Sequence, residues 1–354
     1  MAGARLRNED PEWLQQLACA PARYPDGADR PGPVVFDAEN RPIADRAGWE
    51  RRRGELRARW LSRLGEIRTP EPPPAYDVLE EDETDGGAIR RRLIRYEAEA
   101  GLPVEGYLLR PSGDESDRRP GVVVFHSTTD ETIRQPAGLE GPADKHIGVQ
   151  MARLGYVAFC PRNFLWQYGR PGELAAAVDW LRRRHPGVTG MAKMLHDARR
   201  AVDLLASLAG VDATRIGAIG HSLGAKEVLY LAAFDERVKA AVASEGGIGI
   251  GYSNWDAPWY LGDQVTRPGF GLDHAQLLAL VAPRAFLLIG GDSADGARSW
   301  PYVEAVRPVW DLYGRREAIG LLNHGQGHEY PEEAQRTAER WMKWFLEEAV
   351  FAGE

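Results

Sequence analysis

The chain has 354 residues, 27% charged and 44% hydrophobic, with a formal net charge of −8. That length and balance describe a globular chain with one sizeable core and an N-terminal elaboration. The negative charge argues against a nucleic-acid or anionic-membrane surface, and the basic runs Arg51-Arg52-Arg53 and Arg182-Arg183-Arg184 read as solvated helix faces with acidic neighbours.

In chain order, Met1–Asp10 is polar and lacks an apolar core segment. No later run approaches ~18 consecutive apolar residues, so neither a secretion signal nor a membrane span is expected and a cytoplasmic protein is. Cys19 and Cys160 are far apart and offer no disulfide framework or zinc spacing; Cys160 ends an apolar run and reads as a buried free thiol. Residues 1–75 are rich in Arg, Glu and Pro, with a helical pattern over Ala47–Leu64 that Thr69-Pro70-Glu71-Pro72-Pro73-Pro74 breaks. This N-terminal helical, proline-rich extension is expected to cap the core or to meet a second subunit as a homo-oligomer contact.

A second segment, 76–354, opens with strand patterns at Tyr76–Glu83, Ala88–Glu97 and Val104–Arg110, separated by Gly, Asp and Pro. Gly121–Phe125 is continuously apolar, the mark of a strand buried on both faces. Helical and strand patterns then alternate: Ile147–Leu154 with Tyr156–Cys160, and Met191–Leu208 with Arg215–Ile219. They are followed by strands Val238–Ser244, Arg284–Ile289 and Ala318–Leu322 and a last amphipathic helix, Glu332–Ala349. Alternation of this kind predicts an α/β fold with a mostly parallel central sheet and helices on both faces. Gly246–Gly271 is irregular, carries Tyr252, Trp255, Trp259, Tyr260 and Phe270, and is placed to roof a cleft.

Between the Arg215–Ile219 strand and the apolar helix from Ala225 stands Gly220-His221-Ser222-Leu223-Gly224. Glycines flanking a serine at a strand-to-helix turn let the two elements approach closely and hold the serine in strained geometry, which marks Ser222 as a nucleophile. A serine hydroxyl needs a base, and the base needs an orienting acid. The base is expected in Asn323-His324-Gly325-Gln326-Gly327-His328-Glu329-Tyr330-Pro331, where His328 is the first choice and His324 reads as a loop anchor. The acid is expected after the Arg284–Ile289 strand, with Asp295 ahead of Asp292, which suits a turn cap. Glu245, at the end of the preceding strand, is the remaining alternative: it could orient the histidine, hold a substrate hydroxyl or be a turn carboxylate. The oxyanion donors are expected to be the Leu223 N–H and one from Ser127 or Thr128, with His126 holding that loop. Trp255, Trp259, Trp166 and Tyr168 are candidates for a stacking wall or for burying loops; Arg162 and Asn163 are candidates for a polar substrate contact or a loop pin.

The run Met191–Gly224, with His196-Asp197-Ala198-Arg199-Arg200-Ala201-Val202-Asp203 and then Asp212-x-x-Arg215-Ile216-Gly217, resembles the α/β-hydrolase superfamily. More narrowly it resembles the dienelactone-hydrolase and acetyl-xylan-esterase-like branch, over about Tyr76–Ala349. The resemblance implies an α/β-hydrolase fold and a serine esterase that works without a cofactor, on acetylated or uronate-esterified carbohydrate. Two positions depart from the branch. Ser222 stands where true dienelactone hydrolases use cysteine, and His126-Ser127 replaces the usual His-Gly of the oxyanion loop.

The leading reading is a serine carboxylic-ester hydrolase acting on a small-molecule or carbohydrate ester through a Ser222–His328–Asp295 triad. No metal is expected, since neither a phosphate-cradling loop nor paired His/Cys ligand spacing is present. The alternatives are an oligopeptidase-like amidase, for which the first 75 residues are too few to form a gating propeller, an acyl transferase, and a non-catalytic binding protein on a hydrolase fold.

Overall fold

The computed structural model describes residues 11–22, 24, 29–68, 74–169 and 173–348. The polar N-terminus at Met1–Asp10, the proline run over Thr69–Pro73 and the helix end at Ala349 lie outside them. Helices α1 (Glu12–Leu17) and α2 (Arg46–Leu64) precede strands β1 (Tyr76–Thr84), β2 (Ile89–Glu99), β3 (Leu102–Pro111) and β4 (Arg119–Phe125). Then follow α3 (Ile147–Arg153), β5 (Val157–Pro161), α4 (Phe164–Gln167), α5 (Leu174–Arg184), α6 (Gly190–Ser207), β6 (Val211–His221) and α7 (Leu223–Phe234). The chain closes with β7 (Val238–Ser244), α8 (His274–Ala279), β8 (Ala285–Gly290), α9 (Trp300–Leu312), β9 (Ile319–Asn323) and α10 (Glu332–Lys343).

Among the described residues nine strands form one sheet in the order β1-β2-β3-β5-β4-β6-β7-β8-β9. The β1–β2, β2–β3 and β3–β5 pairs are antiparallel and every later pair is parallel. The physical basis is visible in β4, where Val122, Val123 and Val124 are fully buried because helices cover both faces. Strand β6 starts earlier than its apolar core suggests, because Val211 and Asp212 pair with Arg119 and Pro120 ahead of a register shift. The last helix is α-helical only to Lys343 and continues as a π turn over Trp344–Glu348.

Helix α2 packs on this core. Asp45 caps it, accepting from Gly48 N at 2.7 Å, and Trp49, Leu56, Trp60 and Leu64 line one buried face. In the Arg51–Arg53 run Arg51 is exposed and Arg52 pairs with the neighbouring Glu55 at 2.9 Å, while Arg53 also reaches Glu236 at 3.0 Å; the later arginines of the helix reach across to the core. Arg57 donates to Phe234 O at 2.9 Å at the end of α7, Arg59 to Gly271 O at 2.7 Å and Arg63 to Gly269 O at 2.9 Å. Guanidinium groups there satisfy carbonyls that helix and loop ends leave open. Among the described residues no helix is long and apolar enough to cross a membrane.

Candidate active site

Ser222 sits between β6 and α7 with φ 57° and ψ −118°. A side chain at Gly220 would overlap the backbone of Gly224, and one at Gly224 would overlap the Phe125 carbonyl, so both glycines are required by the close approach of strand and helix. The turn is tied down by Ser222 N, which donates to Ser244 O at 2.8 Å. Leu223 opens α7, where the first amides have no intrahelical acceptor.

His328 comes from the loop between β9 and α10 and lies against this turn. Its Nε2 is 2.9 Å from Ser222 Oγ, and its Nδ1 is 3.0 Å from Glu245 Oε2. The carboxylate accepts a hydrogen bond from Nδ1–H, leaving Nε2 to accept from the serine hydroxyl. The loop reaches this position because Gly327 N donates to Gly291 O at 2.7 Å and His324 N to Gly290 O at 2.8 Å. A side chain at Gly291 would overlap Gly327 O and the His324 ring. His324 accepts from Gln326 N at 3.1 Å and so anchors the loop.

The carboxylate facing His328 is therefore Glu245, where the sequence reading placed Asp295. Glu245 follows β7 with φ 54°, is 1% exposed, and accepts from Gly291 N and, at 2.6 Å, from Ala294 N. Asp295 is equally buried but is consumed elsewhere: it accepts from Gly247 N at 2.6 Å, Ile248 N at 2.9 Å and Ser299 Oγ at 2.7 Å. Burial raises its pKa above the ordinary carboxylate value. Asp292 caps its turn, accepting from Ala297 N at 3.0 Å and Asn323 Nδ2 at 2.9 Å. The reason for the exchange is topological: β7 neighbours β6, so a side chain at its end is one strand closer to Ser222 than the loop after β8. The signal in the sequence was a glutamate ahead of two glycines at a strand end, in Ser244-Glu245-Gly246-Gly247.

The loop after β4 carries Ser127 and Thr128, and Ser127 Oγ donates to His221 O, just ahead of the serine turn, at 3.3 Å. His126 holds this loop: Nδ1 donates to Ser127 O at 2.7 Å and Nε2 accepts from Asn163 N at 3.2 Å. Burial pulls its pKa down to about 4, which keeps it neutral. Asn163 Nδ2 in turn donates to Glu227 Oε1 at 3.0 Å.

The aromatic candidates separate. Trp255 does not face the cleft: it is 1% exposed, donates through its indole N–H to Gly247 O at 2.7 Å, and has Lys226 Nζ 3.8 Å over its ring. It anchors the loop after β7, and Lys226, missed in the sequence, ties that loop to α7 by also donating to Ser253 Oγ at 2.8 Å. Trp259 remains half-buried, with its carbonyl pressed on Gly190. Trp166 packs edge-on against His126, and Tyr168 stacks on Trp180 at 3.8 Å. Arg162 is pinned at 3.3 Å to both Thr132 Oγ1 and Glu105 Oε2. Elsewhere, Glu99, His196 and Asp197 form a buried cluster, but Lys193 Nζ sits at its centre, 2.6 Å from Glu99 and 2.7 Å from Asp197, so an ammonium already supplies the cation.

Comparison with known proteins finds similar sequences and folds. Residues 104–258 match the model of the dienelactone hydrolase family. YtaP of Bacillus subtilis (strain 168), named as a hydrolase, is 24% identical over 305 residues, which are 82% of this chain and 100% of that protein. A glucuronoyl esterase from Solibacter usitatus superposes with a TM-score of 0.72 at 17% identity, covering 90% of this chain and 99% of its own. A CE15 glucuronoyl esterase from Teredinibacter turnerae T7901 gives 0.65 at 19% identity, covering 88% of each chain. At these identities the structural likeness is one of fold. The mostly parallel sheet and the serine turn at the end of its sixth strand give the chain an α/β-hydrolase type of fold, and within it residues 104–258 are similar to the dienelactone hydrolase family.

Proposed function

We propose that the protein is a serine carboxylic-ester hydrolase whose triad is Ser222, His328 and Glu245. The observation that carries the reading is the continuous line of hydrogen bonds from Ser222 Oγ through the His328 ring to Glu245. Ser222 Oγ attacks the acyl carbon while His328 Nε2 takes its proton; the amides of Leu223 and of Ser127 or Thr128 receive the charge on the carbonyl oxygen. His328 then protonates the departing alcohol, and water, activated by the same nitrogen, cleaves the acyl–Ser222 bond. Glu245 holds the ring in one tautomer and offsets the imidazolium charge. The His328 side chain is 45% exposed, so water can reach the base, which favours hydrolysis over transfer to another acceptor.

The substrate class proposed is a carbohydrate ester, a uronate or short acyl ester. Support comes from the glucuronoyl esterases whose folds match nearly the whole of this chain. The test compares p-nitrophenyl acetate, butyrate and octanoate with benzyl glucuronate, using wild type and Ser222→Ala. Turnover of the glucuronate or acetate ester that falls at least ~10³-fold in Ser222→Ala is the expected result. A folded wild type that turns over none of them, and whose Ser222 resists a fluorophosphonate, would sink the reading.

A further inference from the structure

His221, the residue before the nucleophile, contacts His328, the loop of Ser127 and the end of the strand that leads into Glu245. In the β6–β7 ladder His221 is register partner to Ser244, and each is followed by a residue at positive φ: Ser222 at 57° and Glu245 at 54°. The side chains of the two partners are bonded, with His221 Nδ1 3.0 Å from Ser244 Oγ. On its other edge Nε2 faces Lys145 Nζ at 3.5 Å, from the segment leading into α3. The ring lies against that of His328, with centroids 4.9 Å apart, and its carbonyl accepts from Ser127 of the oxyanion loop.

We propose that His221 is a positioning residue: its neutral imidazole braces β6 to β7 so that nucleophile and acid keep their spacing, and it forms the uncharged wall against which His328 becomes an imidazolium. This rests on the Ser222–His328–Glu245 reading. An ammonium can only donate, so Lys145 makes Nε2 of His221 the acceptor and leaves Nδ1 to donate to Ser244. The charged and titratable groups around the ring are Lys145, His328 and His324, with Glu245 beyond; Lys145 is itself offset by Asp144 at 3.4 Å and Glu329 at 4.0 Å. Burial, with Lys145 and His328 nearby, keeps the ring's pKa well below the ordinary histidine value. Two adjacent imidazoles protonated together would repel, so a wall that stays neutral leaves His328 free to charge.

The test uses kcat, KM and the pH profile of p-nitrophenyl acetate hydrolysis for Ser222→Ala, His221→Ala, His221→Asn, Ser244→Ala and Lys145→Met. Misplacement of a triad by a fraction of an ångström predicts a ~10- to 100-fold lower kcat for His221→Ala, with KM changed by no more than about two-fold. His221→Asn places an amide N–H where Nδ1 stood and is expected to recover most of that loss. Ser244→Ala should match His221→Ala without adding to it in the double variant. Lys145→Met removes a positive charge beside the His221 ring, which itself lies against that of His328, and so eases protonation of the base; the acidic limb of kcat/KM should move up by about half a pH unit. Folded His221→Ala with wild-type kcat, His221→Asn no better than His221→Ala, or an unmoved limb in Lys145→Met would each overturn the brace. Activity surviving in Ser222→Ala would instead overturn the triad reading on which it stands.

Discussion

Glu245 and Asp295 are both carboxylates at about 1% exposure, and what separates them is the donor each can reach. Glu245 has an imidazole N–H within 3.0 Å, whereas Asp295 has spent its oxygens on two amides and a hydroxyl. Glu245→Gln is therefore expected to lower kcat by ~10²–10⁴-fold with little change in folding, because the histidine loses its fixed tautomer. Asp295→Asn should do the reverse: an amide facing two N–H donors costs about 1–3 kcal/mol, seen as a lower Tm, with kcat of the folded protein within a few-fold. Glu227 gives a pH test. Burial raises its pKa to about 8, above its unfolded value, so its stabilising contribution is complete at acid pH and is lost as pH rises through that value. Glu227→Gln keeps the acceptor for Asn163 and removes the titration. Its Tm relative to wild type should climb between pH 5 and pH 9, and a flat difference would rule the buried carboxyl out as the cause.

Helix α2 stands outside the catalytic unit in sequence but is coupled to it by packing. Trp60 stacks on His274 at 5.5 Å, and His274 Nδ1 donates to Ile248 O at 2.7 Å, in the same loop that Asp295 clamps. Trp60→Ala leaves a cavity and is expected to cost about 3–5 kcal/mol, measured by urea unfolding. The helical pattern over Ala47–Leu64 was legible in the sequence; that its arginines would be used on the carbonyls of Phe234, Gly271 and Gly269 was not, because those acceptors come from remote segments. The loop between β9 and α10 behaves the same way. Its histidine was readable from position, but its seat on Gly291 was not. Gly291→Ala should push the His328 loop off that seat and cut kcat by ~10²-fold while the far-ultraviolet spectrum is unchanged.

At the scale of the molecule, the nine-stranded sheet is the rigid frame, with the serine turn leaving its middle at β6. Cys160 is fully buried in β5 and burial raises its thiol pKa, while Cys19 is exposed. Iodoacetamide should modify Cys19 in the native protein and reach Cys160 only on unfolding of the sheet. Dithiothreitol should leave Tm unchanged. Fast native labelling of Cys160 would mean that β5 opens far more readily than a central strand should.

Local features of the chain were enough to determine the alternation of apolar strands and amphipathic helices, the glycine-flanked turn around Ser222 and the late position of His328. Each depends on residues close in sequence: a buried parallel strand must be apolar throughout, and a tight turn must have glycines beside it. Tertiary structure alone decided that Glu245 meets His328, that Trp255 is sealed under Lys226, and that His221 joins the ends of β6 and β7. Those outcomes turn on which of several similar side chains comes within about 3 Å of a partner. A hydrogen bond fades within a few tenths of an ångström, and that margin is set by strand order, register and loop path, which no local pattern encodes.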